Sequence, residues 1–89
     1  MANKGYHEPI GELSDDTSDT HKAIVSRMEE FEAVDWYNQR VDARKDKELV
    51  AILAHNRDEE KEHAAMLLEW IRRRGPTFDI ELRRFLFTD

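Results

Sequence analysis

The chain has no cysteine, only three glycines and two prolines in 89 residues, and no long apolar run. Without cysteine there is no disulfide staple, no thiolate nucleophile and no cysteine-type zinc site. Glycine and proline fall at Gly5, Pro9, Gly11, Gly75 and Pro76, so residues 12–74 carry no backbone breaker. That spacing argues against a β-sandwich, which needs a turn every few residues. Nothing approaches the ~20 apolar residues of a membrane span, and no basic start with an apolar stretch marks a signal peptide. A cytoplasmic protein is therefore expected. Positive charge is also short: 14 Lys+Arg against 20 Asp+Glu leave a net charge of −6. Such a chain is a poor nucleic-acid binder, since neutralising phosphates takes a cationic face, but a reasonable attractor of cations.

What the chain does have is charge and apolarity in near-equal amounts, 38% and 39%, the profile of long amphipathic helices. Eighty-nine residues suffice for one small domain with a thin core, and leave no room for a barrel, a propeller or a two-domain dehydrogenase. Residues 1–13 read as a flexible N-terminal arm, and residues 14–89 as the helical domain. Ser14, followed by Asp15 and Asp16, is a good helix start, with acids at the positive end of the dipole. Nothing interrupts that helix to about Val41. Residues 42–47 make a polar connection in which Asp46 is a second N-cap, and a second helix runs from Lys47 to Arg74. Arg72, Arg73 and Arg74 suit its negative end, Gly75 suits a left-handed C′ position, and Pro76 forbids continuation. Thr77 is placed to cap a short third helix with Phe78, Leu82, Phe85 and Leu86 on one side. The expected fold is all-α, an antiparallel helical hairpin with a short C-terminal helix. Two helices of about 40 Å cannot cover both of their own faces, so a second copy completing a four-helix bundle is the simplest expectation.

Three polar residues interrupt the apolar row of the second helix: Leu49, Leu53, Asn56, Glu60, His63, Leu67, Trp70. At about 100° per residue, Leu49, Leu53, Ala64, Leu67 and Ile71 fall within about 40° of Glu60. A carboxylate there costs several kcal/mol to bury unless a partner or a metal offsets it. Glu59 and Glu62 point away from the stripe and read as solvated. Helix one repeats the anomaly, because Glu30 interrupts the row Ala23, Val34, Tyr37, Val41, with the Tyr37 phenol one heptad along. A hairpin with one Glu on the first helix and Glu-x-x-His on the second carries half of the di-iron carboxylate set, and two copies supply all of it. Glu60 and His63 are accordingly expected to be buried metal ligands. The plain alternatives are a solvated Glu-x-x-His, a histidine hydrogen-bonded to Glu60, or pairing of the acids with Arg27 and Arg57.

The runs Met28-Glu29-Glu30-Phe31-Glu32-Ala33-Val34-Asp35-Trp36-Tyr37 and Ala51-Ile52-Leu53-Ala54-His55-Asn56-Arg57-Asp58-Glu59-Glu60-Lys61-Glu62-His63-Ala64-Ala65-Met66 closely resemble the encapsulated ferritins, as does the tail from Arg84 to Asp89. The resemblance covers most of the chain from His21 onward. It implies a half-ferritin subunit, a dimer that forms a ferritin-like four-helix bundle, and a decameric ring of such dimers. It further implies two irons held between Glu30, Glu60 and His63 of both subunits, a nearby Tyr37, and a metal-attracting cluster at Glu29, Glu32 and Trp36 outside the centre. The implied activity is a ferroxidase for iron storage and detoxification, with Ca, Mn or Zn as substitutes for iron. The implied partner and location are an encapsulin shell protein and its nanocompartment. Family members usually continue into a flexible tail ending in an apolar shell-docking peptide; this sequence stops at Asp89, and shell targeting by these residues themselves is not expected. Two rivals stand beside the ferroxidase: a non-enzymatic helical-hairpin assembly module and a divalent-metal buffer.

Overall fold

A computed structural model describes residues 5–88. Three α-helices make up the chain, α1 (Asp15–Ala43), α2 (Lys47–Arg74) and α3 (Pro76–Phe85), with a single 3-10 turn at Ile10–Glu12 and no strand among the described residues. Residues 1–4 of the expected arm lie outside the described residues. In the remainder of the arm the Tyr6 ring lies 4.1 Å from the His21 ring, on the flank of α1.

Both long helices start where the caps require. The Ser14 hydroxyl accepts from Thr17 N–H at 3.1 Å, and one Asp46 carboxylate oxygen accepts from Glu48 N–H at 3.0 Å and Leu49 N–H at 3.2 Å. Each cap satisfies amide donors that have no carbonyl within their own helix. Helix α1 runs two residues further than Val41, so only Arg44, Lys45 and Asp46 remain to reverse the chain. So short a connection forces α1 and α2 to lie antiparallel and in contact.

The corner after α2 departs from the sequence expectation. Gly75 is extended, at φ −118° and ψ 100°, and serves both as the end of α2 and the start of α3. The cause is the neighbour: a proline ring clashes with a preceding helical residue and drives it into the β region, which overrides the left-handed preference of a C′ glycine. Pro76 then occupies the first position of α3, where its missing N–H costs nothing. Thr77 therefore lies inside the helix and caps nothing, and no side chain caps α3.

An ionic clamp holds that corner. Arg72 donates two hydrogen bonds of 2.7 Å to the two Glu69 oxygens and a third, from Nη1, to Asp79 on α3. Arg73 donates to Glu69 at 2.7 Å and Arg83 to Asp79 at 2.9 Å. Those hydrogen bonds hold the Glu69 carboxyl at about 2, Arg72 contributing most and Arg73 next, and Arg72 also draws Asp79 below the usual carboxylate range. Leu82 and Leu86 line a groove with Ala65 and Leu68 of α2, but of the expected row only Leu82 is half-buried, and Phe78, Phe85 and Leu86 are exposed.

The molecule is a slab one helix thick, with Cα extents of 50 × 41 × 15 Å. Among the described residues only Ala23, Ala64 and Ile71 are buried, all along the α1–α2 seam. Ile52, Met66 and Trp36 lie exposed, as do Ile24, Met28 and Phe31. So thin a slab buries little of its apolar surface within one chain, and exposed apolar side chains in such number are unusual for a lone soluble domain. No helix is long and apolar enough to cross a membrane among the described residues.

Candidate metal centre

Midway along the hairpin, α1 and α2 bring Glu30, Glu60 and His63 together. One ligand atom from each lies within 4.8 Å of the other two, and among the described residues this is the group of acids and histidines that converges so. The arrangement follows from helical geometry. Glu60 and His63 are one turn apart on α2, and the three-residue turn sets Glu30 of α1 at the same height.

The pairing inside the cluster is loose. His63 Nδ1 stands 3.6 Å from Glu30 Oε2 and 3.8 Å from Glu60 Oε2, beyond hydrogen-bonding distance. Glu30 Oε2 is itself buried and accepts no hydrogen bond. Neither proposed counter-charge reaches the cluster. Arg57 is engaged with Asp58 and with the Asn38 side-chain Oδ1, and the Arg27 guanidinium stacks 4.6 Å over Phe31. Among the described residues, two carboxylates and an imidazole are thus gathered with no arginine or lysine in an ion pair to balance them. A buried, unpaired carboxylate oxygen fits a cation, and the donor set of oxygen and imidazole nitrogen suits iron, manganese or zinc.

The expected burial is not seen in the single chain. The Glu30 and Glu60 side chains are 24% and 25% exposed and His63 is 49% exposed. Their open side lies on one face of the slab, where His63 borders an apolar groove with Ala23, Met66, Leu67 and Trp70. The cluster is a half-shell, closed by the hairpin beneath and open above.

The other candidate acids, Glu29 and Glu32, are not part of that group. Tyr37 is half-buried under the Arg40 guanidinium, 5.5 Å from its ring centre. Glu29, Glu32 and Trp36 are all exposed on the outer side of α1, and Trp36 shares its shallow groove with Gln39 and Arg40. Glu59 and Glu62 are solvated, Glu59 lying 3.5 Å from His55. From the sequence, Arg72 and Arg73 read only as charges for the end of α2, and no role falls to Glu69, Asp79 or Arg83, although Glu69 with Arg72 and Arg73, and Asp79 with Arg83, stand at the i, i+3 and i, i+4 spacings that pair on a helix.

A profile of the EncFtn-like family matches residues 5–89. The chain is 64% identical over its full length to an encapsulated ferritin-like protein of Rhodospirillum rubrum, and 57% identical over 84 residues to a ferritin-like protein of Thermotoga maritima. It spans 64% of the first relative's length and 74% of the second's. An encapsulin nanocompartment cargo protein, EncC of Myxococcus xanthus, is 32% identical over 71 residues, which are 80% of this chain and 55% of that one. A Nitrosomonas europaea protein of known crystal structure superposes with a TM-score of 0.92 at 73% identity, over 96% of this chain and 93% of the other.

Proposed function

Because the chain belongs to the EncFtn-like family, we propose that it is a ferroxidase, oxidising Fe²⁺ to Fe³⁺ at a centre shared by two copies. The observation that carries this reading is the convergence of Glu30, Glu60 and His63 within 4.8 Å without a balancing cation. Two copies face to face bring four carboxylates and two imidazoles, and two Fe²⁺ ions balance the charge of the four carboxylates. In this reading Glu60 and His63 are terminal ligands and Glu30 bridges. Bridging holds the two substrate ions close, so that each gives up one electron and a two-electron oxidant such as dioxygen takes both. Tyr37 supplies a phenol near the centre, and Glu29, Glu32 and Trp36 form an outer station that attracts Fe²⁺ before it reaches the ligands.

The slab encloses no volume, so oxidation and storage are divided: these residues oxidise, and a compartment receives the ferric product. The names of the Rhodospirillum and Myxococcus relatives support an encapsulin shell as that compartment. Adding Fe²⁺ aerobically to the purified chain should raise ferric absorbance faster than in buffer, with most of the product precipitating at high iron load. Metal uptake without oxidation would make the protein a divalent-metal buffer, and no uptake would leave an assembly module. Thousands of irons remaining soluble with the protein would refute the division of labour.

A further inference from the structure

Three polar residues interrupt the apolar row of α2, and the metal centre accounts for two of them. The third, Asn56, stands one turn before Glu60 and one heptad before His63, about 40° and about 20° from them on the helical wheel. It is half-buried, and among the described residues its carboxamide makes no hydrogen bond. The neighbouring polar side chains do not serve it: Asn38 accepts from Arg57, and Gln39 donates to Asp35 at 3.0 Å. Covering this face with apolar surface would strand a donor and an acceptor away from water, which costs free energy in any packing that fails to pair them.

We propose that Asn56 sets the register in which a second copy docks on this face, by hydrogen-bonding across the interface in the one alignment that places the two half-centres opposite each other. The proposal rests on the shared-centre reading above. The occupant is a second copy because the face presents only half of a ligand set, amid exposed Leu49, Ile52, Met66 and the groove beside His63. Leucine-rich rows pack well in several alignments one turn apart, and their apolar contacts discriminate weakly among them. An amide that is satisfied in only one alignment excludes the others, at some cost in affinity. A one-turn slip of about 5.4 Å would separate the facing ligands beyond the reach of a bridging carboxylate.

The absence of cysteine allows a direct test. Glu62 is exposed on α2, and Glu62→Cys gives a single spin-label site. Double electron–electron resonance on the metal-free protein should show one narrow distance between labels in the Asn56-containing chain. With Asn56→Leu added, association by light scattering should be as tight or tighter, while the distance distribution should broaden or split. Cobalt(II) affinity, read from its visible absorption, should fall about tenfold, and Asn56→Gln should restore both readouts in part. An unchanged narrow distance with unchanged cobalt affinity in Asn56→Leu would overturn the proposal, as would a variant that merely dissociates. A parent chain showing no distance between labels even with cobalt bound would instead sink the shared-centre reading on which it stands.

Discussion

Two charged clusters in this chain are built from similar residues and behave in opposite ways. At the α2–α3 corner, Arg72, Arg73 and Arg83 surround Glu69 and Asp79, and each carboxylate receives hydrogen bonds from two guanidinium groups. At the middle of the α1–α2 seam, Glu30 and Glu60 share one imidazole at 3.6 and 3.8 Å, and a buried oxygen of Glu30 receives nothing. The first cluster is complete within one chain and does a structural task. The second is short of positive charge and of covering, and those shortages point to a metal ion and to a second copy. Counting acids would not separate the two; asking what each acid is paired with does.

The sharpest way to break the comparison is to remove an acid from the unpaired cluster. Glu60→Ala should slow iron oxidation by about tenfold or more, since loss of an outer-shell partner of a metal ligand already costs 10–100-fold at many metal sites. Helicity by circular dichroism should be unchanged, because no ion pair to Lys or Arg depends on Glu60. A variant that keeps the parent rate would place the oxidation elsewhere.

Next in size is the coupling of metal to assembly. Ions that bind only the associated form stabilise it by mass action, by about 2.7 kcal/mol at a free concentration one hundred times the dissociation constant. Light scattering should show Fe²⁺ or Co²⁺ lowering the protein concentration at which copies associate. The Glu30→Ala, His63→Ala double variant should lose that response and keep the metal-free association. Equal metal responses in variant and parent would count against a shared centre.

How far these clusters were legible in the sequence depended on how local their causes are. Ser14 and Asp46 were readable as caps because the bonds they make reach only two or three residues. Glu60 and His63 were readable as one face because the helical period alone aligns them, and Glu30 joined them once the turn was known to be short. Gly75 was misread because its own preference yields to Pro76 beside it. The bond from Arg72 to Asp79 crosses that corner, so helical spacing could not show it. Burial at the centre could not be read from helical spacing, because a single slab 15 Å thick leaves Glu30, Glu60 and His63 part-exposed and only a covering surface would close them in.

A smaller effect is expected on the outer side of α1. Glu32→Ala should change the initial rate of iron oxidation by a few-fold at low Fe²⁺ and little at saturating Fe²⁺, because an exposed acid acts on delivery, and salt should screen the same effect. Abolished activity would instead place Glu32 among the ligands and overturn the assignment of Glu30, Glu60 and His63.

The smallest effect on iron chemistry should come from the cluster that is already complete. The Glu69 carboxyl lies at about 2 in the folded chain against an ordinary value of 4.5, because Arg72 and then Arg73 hydrogen-bond its charged form. A depressed carboxyl stabilises the fold fully above its unfolded value and loses that contribution as pH falls through the folded one. The clamp should therefore hold at pH 5 and above and release α3 between about 4.5 and about 2, with Asp79 titrating in the same direction. Arg72→Gln should bring the release to neutral pH, because it removes the group that reaches both Glu69 and Asp79. Amide hydrogen exchange would show this as faster exchange through Pro76–Phe85, with α1 and the middle of α2 unaffected. Iron oxidation by Arg72→Gln at neutral pH should match the parent, since the corner shares no residue with the centre. A large loss of oxidation in that variant would show that the corner positions the assembly, and would erase the division between a structural and a metal-binding cluster.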